Sequence, residues 1–206
     1  MWNRYDDEDE DDECEGKDKK DKKDSPAIAE KLYKSRTIII SGGIDMKLAK
    51  EVMAQLLALA SDSDDDITLF LNSPGGHVEA GDTIHDMINF VKPRVKIVGT
   101  GWVASAGAHI FLSVPKKDRF ALPNTRFLLH QPSGGSGGWA TDIEIEADEI
   151  LKMRKRLNVI IAKQTGQKLA KVEKDTDRNF WLTVEEAAAY GILGTVVKNS
   201  GDLEKL

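Results

Sequence analysis

The feature that most constrains the fold of this chain is the alternation of two hydrophobic periods along its length. Short apolar runs rich in β-branched residues occupy Arg36–Ile40, Ile67–Leu71 and Val95–Gly99. Between and after them, apolar residues recur every three or four positions, as on one face of a helix. A helix between successive strands lets those strands run in parallel. The sequence therefore predicts an α/β fold with a parallel sheet.

Capping residues predict where several helices begin and end. Asp45 is the predicted N-cap of the first helix. A long helix is predicted from the capping box Thr141–Glu144 to a C-cap at Gly166. A second capping box, Thr183–Glu186, predicts a short helix that ends before Gly191. Further short strands are predicted at Arg119–Leu122, Arg126–Leu129 and Ile192–Val197.

Charge is concentrated at the N-terminus of the 206-residue chain. Residues 1–24 carry 6 basic and 12 acidic side chains, which leaves 23 of each sign in the remainder. A segment of this composition cannot bury enough apolar surface to fold, so we predict a disordered, solubilising tail over 1–24, with an electrostatic docking arm as the alternative. One domain is expected over 25–206. Its neutral charge argues against nucleic-acid binding.

The expected location follows from three absences in the sequence. No apolar run approaches the roughly 18–20 residues that a membrane span needs. The N-terminus lacks the apolar region of a secretion signal. The single cysteine, Cys14, lies in the acidic tail and leaves neither a disulfide nor a cysteine-based metal cluster to the domain. We therefore expect a protein of the reducing cytoplasm that does not bind membranes.

Three junctions that follow predicted strands carry residues suited to catalysis, because open α/β sheets bind ligands at the carboxyl ends of their strands. The adjacent glycines of Ser73–Gly76 can direct backbone N–H groups at a ligand and form half of an oxyanion hole. Ser105, among Ala and Gly residues before a helix, suits a nucleophile, and His130 suits a base. Taken singly, the first two motifs are more typical of a Pro-Gly turn and a serine N-cap.

Other histidines compete with His130 for the role of base. His85 falls on the polar face of a helix, where we expect solvent exposure. His109 lies four residues after Ser105 and is expected to point away from a substrate over the helix end. His77 has no comparable context. No metal-binding spacing of histidines and carboxylates is present, so neither metal nor cofactor is expected.

Together these motifs resemble one family, the Clp proteolytic subunits, serine peptidases that form the chamber of a chaperone-linked protease. The resemblance runs from about Ile28 to Val197. Segments that carry it are Leu71–Gly76, Ala104–Ala108, Leu122–Asn124, His130–Pro132, Ala140–Ile145, Glu186–Ala187 and Tyr190–Gly191. Their order and spacing make the set far more specific than any single member.

The resemblance implies a ClpP/crotonase-like fold, a spiral of strand-strand-helix units with a handle. The long helix that ends at Gly166 and the glycine-rich segment Ser133–Gly138 match that handle. By resemblance Ser105 is the nucleophile and His130 the general base, while the backbone N–H groups of Gly76 and Ala106 form the oxyanion hole. The resemblance also implies self-association into stacked rings, to which an AAA+ unfoldase delivers unfolded polypeptide.

Three departures from the family pattern differ in their expected effect on function. Ala106 stands where the family usually has Met, which costs little because only its backbone N–H is needed. Residues 1–24 do not match the family segment that gates the axial pore and touches the ATPase. Asn179 stands where the third triad residue is usually Asp. An asparagine can accept the imidazole N–H, but it supplies no charge to stabilise the imidazolium.

The leading interpretation is a serine endopeptidase subunit, attenuated by Asn179. A second is a structural ring subunit that regulates an active paralogue, which Asn179 favours and the intact Ser105 and His130 oppose. A third is a crotonase-like acyl-CoA enzyme on the related fold, which the same serine and histidine oppose. The chain lacks the phosphate-binding loop of ATPases, so ATP hydrolysis is expected on a separate unfoldase.

Overall fold

Strand and helix alternate along the chain, as the hydrophobic periods predict. The computed structural model describes residues 26–204. Its helices are α1 (Pro26–Lys34), α2 (Met46–Asp62), α3 (Val78–Phe90), α4 (Ala106–Phe111), α5 (Ala140–Thr165), α6 (Leu169–Asp175), α7 (Val184–Tyr190) and α8 (Ser200–Glu204). Its strands are β1 (Thr37–Ile44), β2 (Ile67–Gly76), β3 (Val95–Ala104), β4 (Arg119–Ala121), β5 (Arg126–Leu129), β6 (Phe180–Leu182) and β7 (Thr195–Val196). The predicted tail lies outside the described residues.

The strands form one sheet in the order β1-β2-β3-β4-β7, and β5 pairs with both β3 and β6. Every pair is parallel except β5 with β6. Strand β3 is shared between two neighbours: its first half pairs with β4, and its second half pairs with β5. This branching places the ends of β3 and β5 side by side.

Local capping explains the helices whose boundaries the sequence predicts well. Asp45 accepts a hydrogen bond from the backbone N–H of Leu48, 2.7 Å away, at the start of α2. Thr183 and Glu186 form the predicted capping box of α7, and Gly191 ends that helix in the left-handed conformation. Gly166 ends α5 in the same way. Each of these signals depends only on residues close in sequence.

Five boundary predictions were wrong. β1 continues past Ile40 to Ile44, β2 continues through the predicted turn to Gly76, and β3 runs on to Ala104, because all three segments pair with neighbouring strands. The capping box at Thr141 does not form: α5 begins at Ala140, with Trp139 at its N-cap and no side-chain cap. β7 spans two residues of the predicted six, because the N–H groups of Ile192 and Leu193 donate to the Ala187 carbonyl. The sequence-based prediction also missed α1, α6, α8 and β6.

The buried core lies between the sheet and the helices that cover it. Alternate residues of β2 and β3, such as Leu69 and Ile97, are fully buried and meet Ile84 of α3 and Leu56 of α2 in one cluster. No helix among residues 26–204 is long and apolar enough to cross a membrane.

Arg119 is a charged residue within this core, and neutral oxygens surround it. It is fully buried, and its guanidinium donates to the backbone carbonyls of Val114, Gln164 and Ile192, at 2.7, 3.0 and 3.4 Å, and to the side chain of Gln164. Burial lowers the pKa of Arg119 to about 10. The side chain therefore stays charged at neutral pH and ties the C-terminal end of α5 to the sheet.

Candidate active site

Strand pairing brings the candidate nucleophile and base to one edge of the sheet. Ala104, the last residue of β3, pairs with Leu128 of β5, and the N–H of Ser105 donates to the Leu128 carbonyl at 2.9 Å. His130 follows Leu129, the last residue of β5. Two parallel strands that end together therefore present Ser105 and His130 at the same point, as the sequence analysis expected from strand ends.

Ser105 is held in a strained backbone conformation. Its φ and ψ are 55° and −120°, a positive φ that side-chain-bearing residues rarely adopt. It occupies the N-cap position of α4, yet its hydroxyl makes no cap hydrogen bond. The alternative interpretation as a helix-capping serine is therefore not supported. The conformation leaves the hydroxyl available for chemistry at the positive end of a helix.

The two glycines that end β2 have crowded surroundings: Gly75 packs directly against Ser105, and Gly76 packs against Ile44 of β1. A Cβ placed on Gly75 would lie 2.6 Å from Cβ of Ser105 and 3.1 Å from the Ala106 backbone nitrogen. At Gly76 it would lie 2.2 Å from the Ile44 carbonyl oxygen of β1. Side-chain-bearing residues are thus excluded at both positions by close backbone approach. Gly75 therefore brings the β2 backbone next to Ser105, where an oxyanion hole would have to form.

Two further contacts define the oxyanion region. Ser73 is fully buried; its hydroxyl donates to the Gly42 carbonyl at 2.7 Å and accepts from the N–H of Gly75 at 3.0 Å. The N–H of Gly75 is therefore already used. Ala106 is the first residue of α4, so its N–H has no acceptor within the helix and remains available for an anion. The N–H of Ala106 is therefore a candidate oxyanion donor, and the role of the Gly76 N–H stays a prediction.

Ser105 and His130 line one pocket, which we call the Ser105 pocket. Its other lining residues are Val78, Ala106, His109, Leu129, Pro132, Leu157 and Ile161. His130 is half-buried, and burial lowers the pKa of its imidazole. The neutral form, which can accept a proton, therefore dominates at pH 7. Among the described residues, no hydrogen bond connects its ring to Ser105 or to a carboxylate.

The candidate third member of the triad lies apart from this pocket. Asn179 is exposed, just before β6, and its amide makes no hydrogen bond with His130. The nearby carboxylates are engaged elsewhere: Asp175 accepts from Tyr190 and Lys171, and Asp177 accepts from Arg154. Within residues 26–204, His130 therefore has no side-chain acceptor that would fix its tautomer.

The positions of two other histidines differ from expectation. His109 lines the Ser105 pocket, because the pocket extends along the side of α4 and does not stop over its end. His85 is mostly buried; its ring stacks on that of His109 with centroids 4.5 Å apart. Burial and the neighbouring His109 lower the pKa of His85. The predictions that one points away and the other is solvated were wrong, because contacts between α3 and α4 bury both rings.

His109 belongs to a charged cluster next to the pocket. Its Nε2 lies 2.8 Å from Oδ1 of Asp82 on α3, and the Arg156 guanidinium contacts both oxygens of that carboxylate at 2.8 and 2.6 Å. Burial opposes the charge of Asp82, but hydrogen bonds from His109 and Arg156 outweigh it and hold the pKa of this carboxyl well below its ordinary range. Among residues 26–204, no group of three or more His, Cys, Asp or Glu side chains could hold a metal ion.

Comparison with known proteins identifies the family. The model of the family described as Clp protease matches residues 19–200. The chain belongs to the Clp protease family. It is 59% identical to ATP-dependent Clp protease proteolytic subunit 3 of Rhizobium johnstonii over 172 residues, which cover 84% of this chain and 89% of that one. It is 50% identical to proteolytic subunit 2 of Pseudomonas aeruginosa over 176 residues, 85% of this chain and 88% of that one.

Solved structures of the family have the same fold. ClpP1 of Listeria monocytogenes is 54% identical, with a TM-score of 0.78, and the match covers 85% of this chain and 99% of that one. An Asn-to-Asp mutant of the same protein gives a TM-score of 0.81 at 55% identity over the same shares. The predicted ClpP-like fold and the predicted class are therefore confirmed: this chain is a serine-type endopeptidase subunit of a chaperone-linked ring protease. The crotonase-like alternative is not favoured.

Proposed function

We propose that this Clp proteolytic subunit cleaves unfolded polypeptides through an acyl-enzyme on Ser105. The Ser105 hydroxyl attacks the scissile carbonyl carbon while the His130 imidazole takes its proton. The N–H groups of Gly76 and Ala106 stabilise the oxyanion. The tetrahedral intermediate collapses to the ester as the amine leaves with the proton from His130. Water, deprotonated by the same imidazole, then releases the peptide acid and restores Ser105.

The observation that carries this proposal is the strained Ser105 and its immediate surroundings. A positive φ at a side-chain-bearing residue costs free energy, on the order of 1–3 kcal/mol, that the surrounding contacts must offset. Here those contacts come from Gly75 on one side and from the Leu128 carbonyl on the other. No structural reason for a serine at this position is apparent, since it forms no cap bond.

Asn179 has two proposed roles that differ in their consequence. In the first, its amide oxygen accepts a hydrogen bond from His130 once the segment before β6 turns inward, and the enzyme is slow for lack of a charge. In the second, the subunit is chiefly structural and regulates a more active paralogue. The exposed position of Asn179 supports the second; the complete Ser105 pocket supports the first.

The proposed partners are a second copy, a paralogue and an unfoldase. Several relatives are named proteolytic subunit 2 or 3, which favours further subunits of the same type in their organisms. The relatives are also named ATP-dependent, which supports an AAA+ unfoldase that supplies unfolded chains. We place this activity in the cytoplasm.

Covalent labelling tests the proposed nucleophile. A peptidyl phosphonate directed at serine should add one equivalent to the purified full chain, on Ser105 when the labelled protein is mapped by mass spectrometry. Ser105→Ala should remove the label, and His130→Ala should slow it by several orders of magnitude. Ser136→Ala and His77→Ala, both at exposed positions, are the matched controls and should label at the parental rate. Undiminished labelling or peptide hydrolysis in Ser105→Ala would refute the assignment.

A further inference from the structure

The Ser105 pocket is bounded by two helices that do not follow one another in the chain. Ala106 and His109 of α4 form one wall, and Leu157 and Ile161 of α5 form the other. The distance between the helices therefore sets the room for the substrate side chain next to the scissile bond. Apolar contacts alone allow helices to slide, whereas a bidentate ion pair fixes both distance and direction.

A single carboxylate contacts both walls. Oδ1 of Asp82 on α3 lies 2.8 Å from Nε2 of His109 and 2.8 Å from one guanidinium nitrogen of Arg156, and Oδ2 lies 2.6 Å from the other. Arg156 directly precedes Leu157, which lines the pocket. The Asp82 side chain is about four-fifths buried, and His109 is 93% buried, so water competes little for the bond between them.

We propose that Asp82 is a positioning residue for the substrate pocket. Its carboxylate holds the His109 ring and helix α5, which lie on opposite sides of the pocket, at a fixed separation. Asp82 contacts neither Ser105 nor His130, so it acts through the pocket walls. Loss of the Asp82 carboxylate should slow the reaction of substrates with a large side chain, which contacts both walls of the pocket. Substrates with a small side chain, which contacts neither wall, should be affected less. This inference rests on the proposed role of Ser105.

The chain offers a matched control for the charge of Asp82. Asp86 lies on α3 one turn later, and its carboxylate bonds the other imidazole of the stack, with 3.1 Å between Oδ1 and Nδ1 of His85. Its side chain is 84% exposed and lies outside the pocket lining. Asp86→Asn therefore removes the same charge from the same helix and leaves both walls in place.

The test compares two peptidyl phosphonates that differ only in the residue before the reactive phosphorus, leucine in one and alanine in the other. Rate constants for labelling of the full chain are measured by mass spectrometry, a single-turnover readout that slow hydrolysis does not limit. In Asp82→Asn and in Arg156→Gln, the leucine-to-alanine rate ratio should fall by about tenfold, the scale that changes of pocket fit produce. The double variant should be no worse than Asp82→Asn alone, because Arg156 acts on the pocket only through the Asp82 carboxylate. Asp86→Asn should keep the parental ratio.

Three results separate the possible failures. An unchanged ratio in both Asp82→Asn and Arg156→Gln would overturn the role of Asp82, while loss of label in Ser105→Ala would still uphold the nucleophile. An equal fall in Asp86→Asn would also overturn it, since the effect would then be one of charge on α3. Label retained in Ser105→Ala would refute the nucleophile itself, and the pocket assignment with it. Arg156, about half exposed, keeps the test usable should Asp82→Asn fold poorly.

Discussion

At the scale of single residues, the site consists of ordinary side chains in uncommon surroundings. In the proposed mechanism, backbone strain and helix position activate Ser105, and burial keeps His130 neutral; among residues 26–204 neither side chain bonds the carboxylate that usually completes such a set. The rate of the proposed reaction therefore depends on whether the Asn179 side chain can accept a hydrogen bond from the His130 imidazole. Both predictions at this scale concern that imidazole.

Replacement of Asn179 by Asp should increase peptide hydrolysis. A carboxylate that accepts the His130 N–H stabilises the imidazolium of the transition state, so kcat should rise by about ten- to a hundredfold while KM changes little, below the roughly 10⁴ known for the reverse exchange in a complete triad. A fluorogenic peptide measures both constants.

Two variants control for the charge added at Asn179. Asn179→Ala should lower kcat, and Asp177→Asn, in the same segment, should leave it near the parental value. If kcat of Asn179→Asp and of Asn179→Ala both equal that of the parent, Asn179 lies outside the active site. If the rings are intact and every variant is inactive, the result favours the interpretation as a structural subunit.

The acid limb of the pH profile should lie below the ordinary histidine range. Burial lowers the pKa of His130, so the imidazole stays neutral and competent as a base to pH values under 6.5. Activity is lost only as the pH falls through this lowered pKa. The dependence of kcat/KM on pH measures the midpoint, and Asn179→Asp should move it upward because a carboxylate favours the imidazolium. A parental midpoint above 7 would contradict the desolvation argument.

At the scale of secondary structure elements, the site depends on the close approach of β2 to the β3–α4 junction. Gly75 has a φ of +98° and packs against Ser105. A glycine is therefore needed at this position for two reasons: the positive φ and the close contact with Ser105. Gly42 shares the positive φ but not the close contact, so it allows the two reasons to be tested separately.

Replacement of Gly75 by Ala should abolish activity in a folded protein. The new Cβ meets Cβ of Ser105 at 2.6 Å, so the serine must move, and a shift of about 1 Å costs on the order of a hundredfold in rate. Gly42→Ala is the control: its φ of +91° carries the same conformational cost, but nothing lies within 4 Å of the added Cβ. Thermal unfolding should show a loss for both that is larger for Gly75→Ala because of the collision, and phosphonate labelling should fail only for Gly75→Ala. Equal labelling of the two variants would contradict the prediction that the added Cβ at Gly75 displaces Ser105.

At this scale, the sequence could predict features that depend only on neighbouring residues, such as helix caps and strand ends. Caps at Asp45 and Thr183 depend on residues three positions apart, and the placement of Ser105 and His130 depends on strand ends alone. The pairing that extends β2 through Pro74 depends on β1, which is distant in the chain, and so it was missed. The position of His109 in the pocket was missed for a related reason: the packing of α5 decides which side of α4 faces the substrate.

At the scale of the whole molecule, part of the chain lacks neighbours within its own subunit. Ser133–Gly138 forms no strand, and the N-terminal half of α5 leaves large apolar side chains exposed, among them Ile145 and Leu151 at 55% and 58%. Exposed apolar surface and unpaired backbone in one region indicate an interface. A second copy of this chain is the natural occupant in a family of ring proteases.

We expect the full chain to form rings that meet in pairs through this segment and α5. Sedimentation at micromolar concentration should show the assembly, and Leu151→Glu combined with Ile145→Glu should reduce it to single rings or smaller species, because two buried charges would lack partners. Lys152→Ala, an exposed change on the same helix, should leave the assembly intact. A strict monomer in the parent protein would reject the expectation.

Two of the attachments of α5 differ in their response to acid and salt. Near its C-terminal end the helix is held by Arg119, whose neutral carbonyl partners neither titrate nor attract counterions, so acid and salt leave that attachment unchanged. Near its middle it is held by the Asp82 carboxylate, which protonation neutralises and dissolved ions screen. Strong acid or high ionic strength should therefore weaken the contact between α5 and α3, while the neutral bonds of Arg119 and the buried bond between Thr176 and Asn158 still hold the C-terminal half of the helix.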